Sequence, residues 1–159
     1  MYRLFDCCDD TTLCCTVCIC SPNATGQAYQ RATGRGCVAV AVVLWFLLIL
    51  DQVLMQSTTA FGEANARAPG RADVIIGYGV LVALTTLVGL VSTVTMTYFV
   101  CVARRNMRAR DEIPSGGCGA WEDCCVSYWC GWCSLVQMFR QDGITGRKYE
   151  ACSALAQSV

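Results

Sequence analysis

Two long stretches almost free of charge set the pattern of hydrophobic and polar positions along this chain. The longer one, residues 74–103, is an unbroken run of apolar, small and hydroxyl residues between Asp73 and Arg104. A bilayer core of ~30 Å needs ~20 apolar residues at a helical rise of ~1.5 Å each. We predict a transmembrane helix over 74–103, because a chain of 159 residues is too small to wrap such a helix in a soluble core.

The other stretch, residues 37–55, is apolar up to Leu50 and resumes shortly after Asp51. Its nineteen residues would make a helix of ~28 Å, which is enough to cross a bilayer. Asp51 falls near the far end of this predicted span. An acid in a span marks a functional site, or else it lies at the interface and reaches the headgroups.

Residues 56–73 form a polar connection with a turn signal at Pro69-Gly70. The sequence therefore predicts an all-α membrane protein with one domain, built on a two-helix transmembrane hairpin. Its cysteine-rich N- and C-terminal segments, residues 1–36 and 104–159, are predicted to pack at one membrane face.

Composition supports the membrane prediction and limits the functions. Apolar residues make up 55% of the chain and charged ones 15%, against ~25% charged in typical soluble domains. The formal net charge is zero, so the lipid bilayer is the predicted partner and nucleic acid is not. The chain has no histidine and no evident nucleophile–base pair, so we do not expect an enzyme.

The distribution of basic residues predicts the orientation of the hairpin. The connection contains Arg67 and Arg71, and the two tails contain the other ten of the twelve Lys and Arg residues. Positive charge marks the cytosolic side, so both termini are expected on the cytosolic or equivalent positive side. The plasma membrane is favoured, and an organelle membrane such as the mitochondrial inner membrane remains an alternative.

Cysteine is the most distinctive residue, with 14 in the chain and none in residues 56–73. On the reducing side disulfides are disfavoured, so metal-binding, redox-active or acylated cysteines are expected. Packing of apolar thiols is a further alternative. Each cysteine segment is connected to the end of a neighbouring span. We therefore expect the two segments to approach each other, with the Trp-rich second segment covering the first.

The predicted ligand set for zinc or another divalent metal combines the two cysteine segments. A closed tetrahedral site needs four ligands, and the fourth would be a cysteine, a carboxylate such as Asp123, or water. The candidate ligands are Cys14, Cys15, Cys18, Cys20, Cys124, Cys130 and Cys133.

One face of the second span is lined by small and hydroxyl residues at helical spacing. Such a face serves helix packing, or in an oligomer it could line a hydroxyl-bearing pathway. The residues are Gly79, Ala83, Thr86, Leu90, Thr93 and Thr97.

Two cysteine motifs make the chain resemble the placenta-specific-eight family, which includes plant cadmium-resistance proteins and cell-number regulators. The first motif is matched by Cys14-Cys15, Cys20 and Gly26-Gln27, and Ser21-Pro22 departs from it. The second is matched by Met107-Arg108-Ala109, Pro114, Asp123-Cys124, Cys130, Cys133, Leu135, Gln137 and Arg140, with Ser127 in place of a histidine.

The resemblance implies a small membrane protein that tends to oligomerise and is associated with divalent-metal efflux or tolerance, calcium influx or control of cell number. The expected function is therefore a homo-oligomer that binds or helps to transport divalent ions such as Zn, Cd or Ca. The alternative is a non-catalytic structural or accessory subunit of a larger membrane complex.

Overall fold

The computed structural model describes residues 10–34, 36–67, 72–113, 120–144 and 149. Within these ranges the chain forms six helices and no strand, so the all-helical prediction is confirmed. The helices are α1 (Thr11–Ile19), α2 (Ser21–Thr33), α3 (Cys37–Arg67), α4 (Ala72–Arg110), α5 (Ala120–Trp129) and α6 (Gly131–Gln141).

The chain divides into two compact units. We call Met1–Val43 with Thr95–Val159 the cysteine-rich unit, and Leu44–Val94 the two-helix unit. By length and composition α3 and α4 are long and apolar enough to cross a membrane.

The helix α3 continues through Arg67, so most of the predicted connection 56–73 is helical. The hydroxyls of Ser57 and Thr58 donate to backbone carbonyls four residues earlier, which satisfies these polar side chains inside a helix. An ion pair of 3.1 Å between Glu63 and Arg67 supports the last turn. Polarity therefore marked the end of the apolar run but not the end of the helix.

The helix α4 likewise extends past the predicted span 74–103 and ends at Arg110. The predicted turn at Pro69-Gly70 lies outside the described residues. With 39 residues α4 is ~58 Å long, much longer than a bilayer core of ~30 Å.

The core of the cysteine-rich unit is formed by four helices. It brings α1 and α6 together with α2 and the last turns of α4, so the two cysteine-rich segments share one core, as expected. Cys14 of α1 and Cys133 of α6 both pack against it. Each large side chain that is fully buried contributes ~1.5–3 kcal/mol. The largest are Phe139, Leu13, Met107, Leu135, Val17, Val100 and Val136.

The second segment packs on the first through α6, and its tryptophans lie outside the core that the two segments share. Trp121, Trp129 and Trp132 are 78%, 80% and 55% exposed. The aliphatic side chains and Phe139 of α6 occupy the shared core instead. An indole is large and carries an N–H that needs a partner, which favours a boundary position over a small closed core.

In the two-helix unit, small and hydroxyl residues lie where the two helices touch. The hydroxyls of Thr58 and Thr85 are hydrogen-bonded at 3.0 Å. A Cβ added at Gly62 would lie 3.4 Å from the Tyr78 ring, and one at Gly77 would lie 3.4 Å from the Phe61 ring. Each aromatic ring therefore packs over a glycine of the opposite helix.

Gly26 sets the closest approach in the cysteine-rich unit. A Cβ at this position would lie 2.6 Å from the carbonyl oxygen of Cys37, so only glycine lets α2 pack on the first turn of α3. The Gly-Gln pair of the first motif thus has a packing role, since Gln27 is also buried.

We therefore expect Gly26→Ala to destabilise the fold by about 1–3 kcal/mol, as overpacking of a tight contact does. The matched control is Gly131→Ala, where nothing lies within 4 Å of the added Cβ. The control should be neutral or stabilising by up to ~1 kcal/mol. Denaturant unfolding in detergent measures both, and equal stability of the two variants would contradict the packing role.

Candidate functional site

A buried ion cluster joins the end of α4 to α5. The Nε of Arg104 and the Nη1 of Arg108 donate to the same Oδ1 of Asp123, at 2.9 Å and 2.7 Å. Arg104 also donates to Oε1 of Gln137 on α6, at 3.2 Å. Asp123 is 4% exposed, so its charge is compensated by the two guanidinium groups and not by water.

Helical spacing explains how the cluster forms. Arg104 and Arg108 are four residues apart and lie on one face of α4. Asp123 lies in the first turn of α5, where a carboxylate also interacts favourably with the helix dipole. Its carboxylate is therefore occupied by arginine and does not serve as the fourth metal ligand considered above.

Ser127 stands at the position where the second motif has a histidine. Its hydroxyl is buried and donates to the backbone carbonyl of Asp123 at 2.6 Å, within α5. The serine is thus satisfied by its own helix.

Cys101 and Cys124 form a disulfide, with their Cα atoms 5.0 Å apart. Sequence analysis expected free thiols here. Cys101 lies one turn before Arg104 on α4, and Cys124 follows Asp123, so the ion cluster brings the two sulfurs together. Cys101 is 5% exposed, which limits the access of soluble reductants to this bond.

The other predicted thiols are dispersed around the cysteine-rich unit. Cys15 and Cys18 of α1 are exposed, and Cys14, Cys20, Cys130 and Cys133 are partly buried. Cys20 lies between α1 and α2, and Cys130 lies between α5 and α6. In the ranges that the structure describes, no group of three or more Cys, Asp or Glu is placed to hold a metal ion.

A second ion cluster, partly exposed, joins the ends of α4 and α6 to α2. Arg110 donates to Asp111 and to Asp142, each at 2.7 Å, and Arg31 lies 3.5 Å from Asp142. The hydrogen bond from Arg110 lowers the pKa of Asp111. This pairing therefore stabilises the fold at neutral pH, and its contribution is lost as the pH falls below ~4 toward the lowered pKa.

The predicted face of the second span lies mostly at the surface of the chain. Gly79, Ala83, Thr86 and Thr93 are exposed, and Thr97 is partly buried. Thr86 and Thr93 donate to the carbonyls of Val82 and Gly89 within α4. Contact with α3 runs instead through Tyr78, Thr85 and Gly89. A role of the exposed face between copies of the chain stays a prediction.

Arg104, Arg108 and Cys101 were not among the predicted site residues. The basic residues of the tails predicted the orientation and Arg108 matched the second motif, but neither arginine was assigned to a site. Their spacing could have indicated the ion cluster. Two arginines four residues apart lie on one face of a helix, and when that face is buried they need a carboxylate as partner.

These features define a class of helical protein in which two long apolar helices are joined to a cysteine-rich unit held by buried ion pairs. A sequence model of the PLAC8 family matches residues 1–141, so the chain belongs to the PLAC8 family. Over 63 residues the chain is 35% identical to cell number regulator 4 of Zea mays, and the match covers 40% of this chain and 38% of that protein. No solved structure matches the chain.

The second family motif now has a physical explanation. Met107 and Leu135 lie in the core, and three other matched side chains belong to the ion cluster. Those side chains are Arg108, Asp123 and Gln137. In this chain the fixed spacing serves to join α4, α5 and α6.

We expect Asp123→Asn to lower the free energy of unfolding by about 3–5 kcal/mol, because it removes the negative charge that two largely buried guanidinium groups share. The control is Glu63→Gln, which breaks an exposed ion pair and should cost no more than about 0.5 kcal/mol. Denaturant unfolding followed by tryptophan fluorescence measures both. If the two variants were equally stable, the cluster would not hold the unit together.

Proposed function

We propose that the protein is an integral membrane protein that assembles as a homo-oligomer and binds or helps to transport divalent metal ions. Membership of the PLAC8 family and similarity to a cell number regulator support the type of protein. The observation that supports membrane insertion is the exposed apolar surface of α3 and α4. In the most apolar stretch of α4, no residue is buried inside the protein. Exposed apolar surface on this scale requires lipid or other copies of the chain.

The disulfide supports a position of α5 at the membrane surface. Cys101 lies two residues before the end of the apolar run 74–103, and Cys124 is bonded to it. Trp121, Trp129 and Trp132 are exposed on α5 and α6. Tryptophan is enriched at the headgroup level of bilayers, where the ring contacts lipid and the N–H contacts water.

The proposed orientation rests on the basic residues that follow α4. Arg104, Arg105, Arg108 and Arg110 lie within seven residues, and positive charge of this density stays on the cytosolic side. Both termini are accordingly proposed to face the cytosol or the equivalent positive side. The plasma membrane is favoured over an organelle membrane such as the mitochondrial inner membrane.

Assembly of several chains follows from the polar face of α4. Two helices alone cannot enclose a pathway, and Thr86 and Thr93 are exposed in the single chain. In an oligomer such a face packs closely or lines a passage.

The thiols would take part in metal binding only if ligands from several segments or copies converge. Cys15 and Cys18 are exposed and three residues apart on α1, so they lie on neighbouring positions of one face. Zinc and cadmium prefer such soft donors.

The second candidate function is a non-catalytic structural or accessory subunit. It is favoured by the use of the second motif, whose Asp123, Arg108 and Gln137 hold helices together. In that case the exposed faces of α3 and α4 would dock against other membrane subunits.

We expect native mass spectrometry in mild detergent to give a particle of several identical chains. Ala83→Leu, on the exposed polar face, should shift the particle toward smaller masses, because a larger side chain separates closely packed helices. Val91→Leu is the control, on another exposed part of α4. Other polypeptides in a fixed ratio would favour the accessory function, and a monomer would contradict the proposed assembly.

We also expect elemental analysis to find about one zinc per chain in the wild type, and most of it to be lost in Cys130→Ser, because thiolate ligands bind cooperatively. Cys125→Ser is the control, since Cys125 is exposed and outside the predicted ligand set. Less than about one metal per four chains in the wild type, too little for a structural site, would contradict metal binding by the thiols.

A further inference from the structure

Asp51 faces α4 within the two-helix unit. Its Oδ1 lies 3.6 Å from the position that a Cβ on Gly89 would occupy. On α3 it shares a face with Thr58 and Gly62, which also contact α4. The carboxylate therefore points between the helices, where Gly89 leaves room for it.

The contact with Gly89 defines the depth of Asp51. Gly89 lies sixteen residues after Asp73 and fifteen before Arg104, which is ~22–24 Å of helix on each side. In the proposed membrane orientation Asp51 is thus near mid-depth. Sequence analysis placed it near the end of a span that stopped at Met55, because the helical continuation of α3 to Arg67 was not foreseen.

No basic side chain within the apolar runs can neutralise this carboxylate. Between Arg35 and Arg67 on α3, and between Arg71 and Arg104 on α4, the sequence has no Lys or Arg. An acid without a basic partner at this depth faces the inside of a helix bundle and marks an ion or proton site.

A second polar group lies on the same face of α4. Ser92 is three residues from Gly89, one helical turn away. Its Oγ is enclosed, and among the described residues it has no hydrogen-bond partner. An enclosed hydroxyl without a partner is costly in the apolar interior, so its oxygen is available to a bound ion or water.

We propose that Asp51 and Ser92 form an intramembrane cation site, in which the carboxylate binds a divalent cation and the hydroxyl oxygen adds a second ligand. Carboxylate and hydroxyl oxygens are hard donors, which suit calcium better than thiolate-seeking metals. The inference rests on the proposed function, since it requires insertion of α3 and α4 in the bilayer. In this proposal the ion within the membrane is bound by oxygen ligands and not by the cysteines.

The test uses two carbodiimides on the full-length protein reconstituted in vesicles at a fixed pH near 6. The first is membrane-soluble and the second is water-soluble, and modification of Asp51 is read by peptide mass spectrometry. We expect the membrane-soluble reagent to modify Asp51 and calcium to protect it, whereas the same ionic strength supplied by choline chloride does not.

Ser92→Ala should raise the calcium concentration that gives half-protection by about tenfold, because the variant loses one ligand contact of the ion. Ser57→Ala is the control, because Ser57 bonds only to its own helix in the described contacts.

Each result decides a separate claim. Modification by the membrane-soluble reagent without protection by calcium would overturn the cation site. Modification by the water-soluble reagent would overturn the mid-depth position. The oligomer mass and the thiol-bound zinc are measured independently, so failure of the proposed assembly leaves this result readable. Asp51→Asn, which should abolish the modification and leave Glu63 reactivity unchanged, identifies the labelled carboxyl.

Discussion

The sharing of one buried carboxylate by two arginines is the interaction on which the cysteine-rich unit depends. Asp123 accepts from Arg104 and Arg108, and Arg104 reaches Gln137 as well. The charges stabilise the unit only as a complete set, since a buried ion whose partner is lost is strongly destabilising. The disulfide, the position of α5 and the exposure of the tryptophans all follow from this attachment to α4.

Much of the fold could be predicted because the hydrophobic pattern is a local property. The apolar runs identified α3 and α4, and the resemblance of the motifs identified the family, which the match over residues 1–141 establishes. The ends of the helices were less accessible. Ser57 and Thr58 look like loop residues in sequence, yet their hydroxyls bond to carbonyls of the preceding turn, which a pattern of polarity does not reveal.

The site was harder to predict because it depends on contacts between distant segments. The spacing of cysteines in the second segment suggested that Cys124, Cys130 and Cys133 belong to one ligand set. The structure instead pairs Cys124 with Cys101 on α4 and leaves Cys130 between two helices. The contact of Asp51 with Gly89 likewise depends on the partner helix and not on the sequence neighbours of Asp51.

The bond between Cys101 and Cys124 closes a covalent ring in the chain. The ring contains the four arginines of residues 104–110, and arginines are the points where trypsin-like proteases cut. A break of the backbone at any of them would leave α5 and α6 attached to the long helix through sulfur. The last two helices are therefore retained after a single cleavage, and their release requires a reductant as well as a protease.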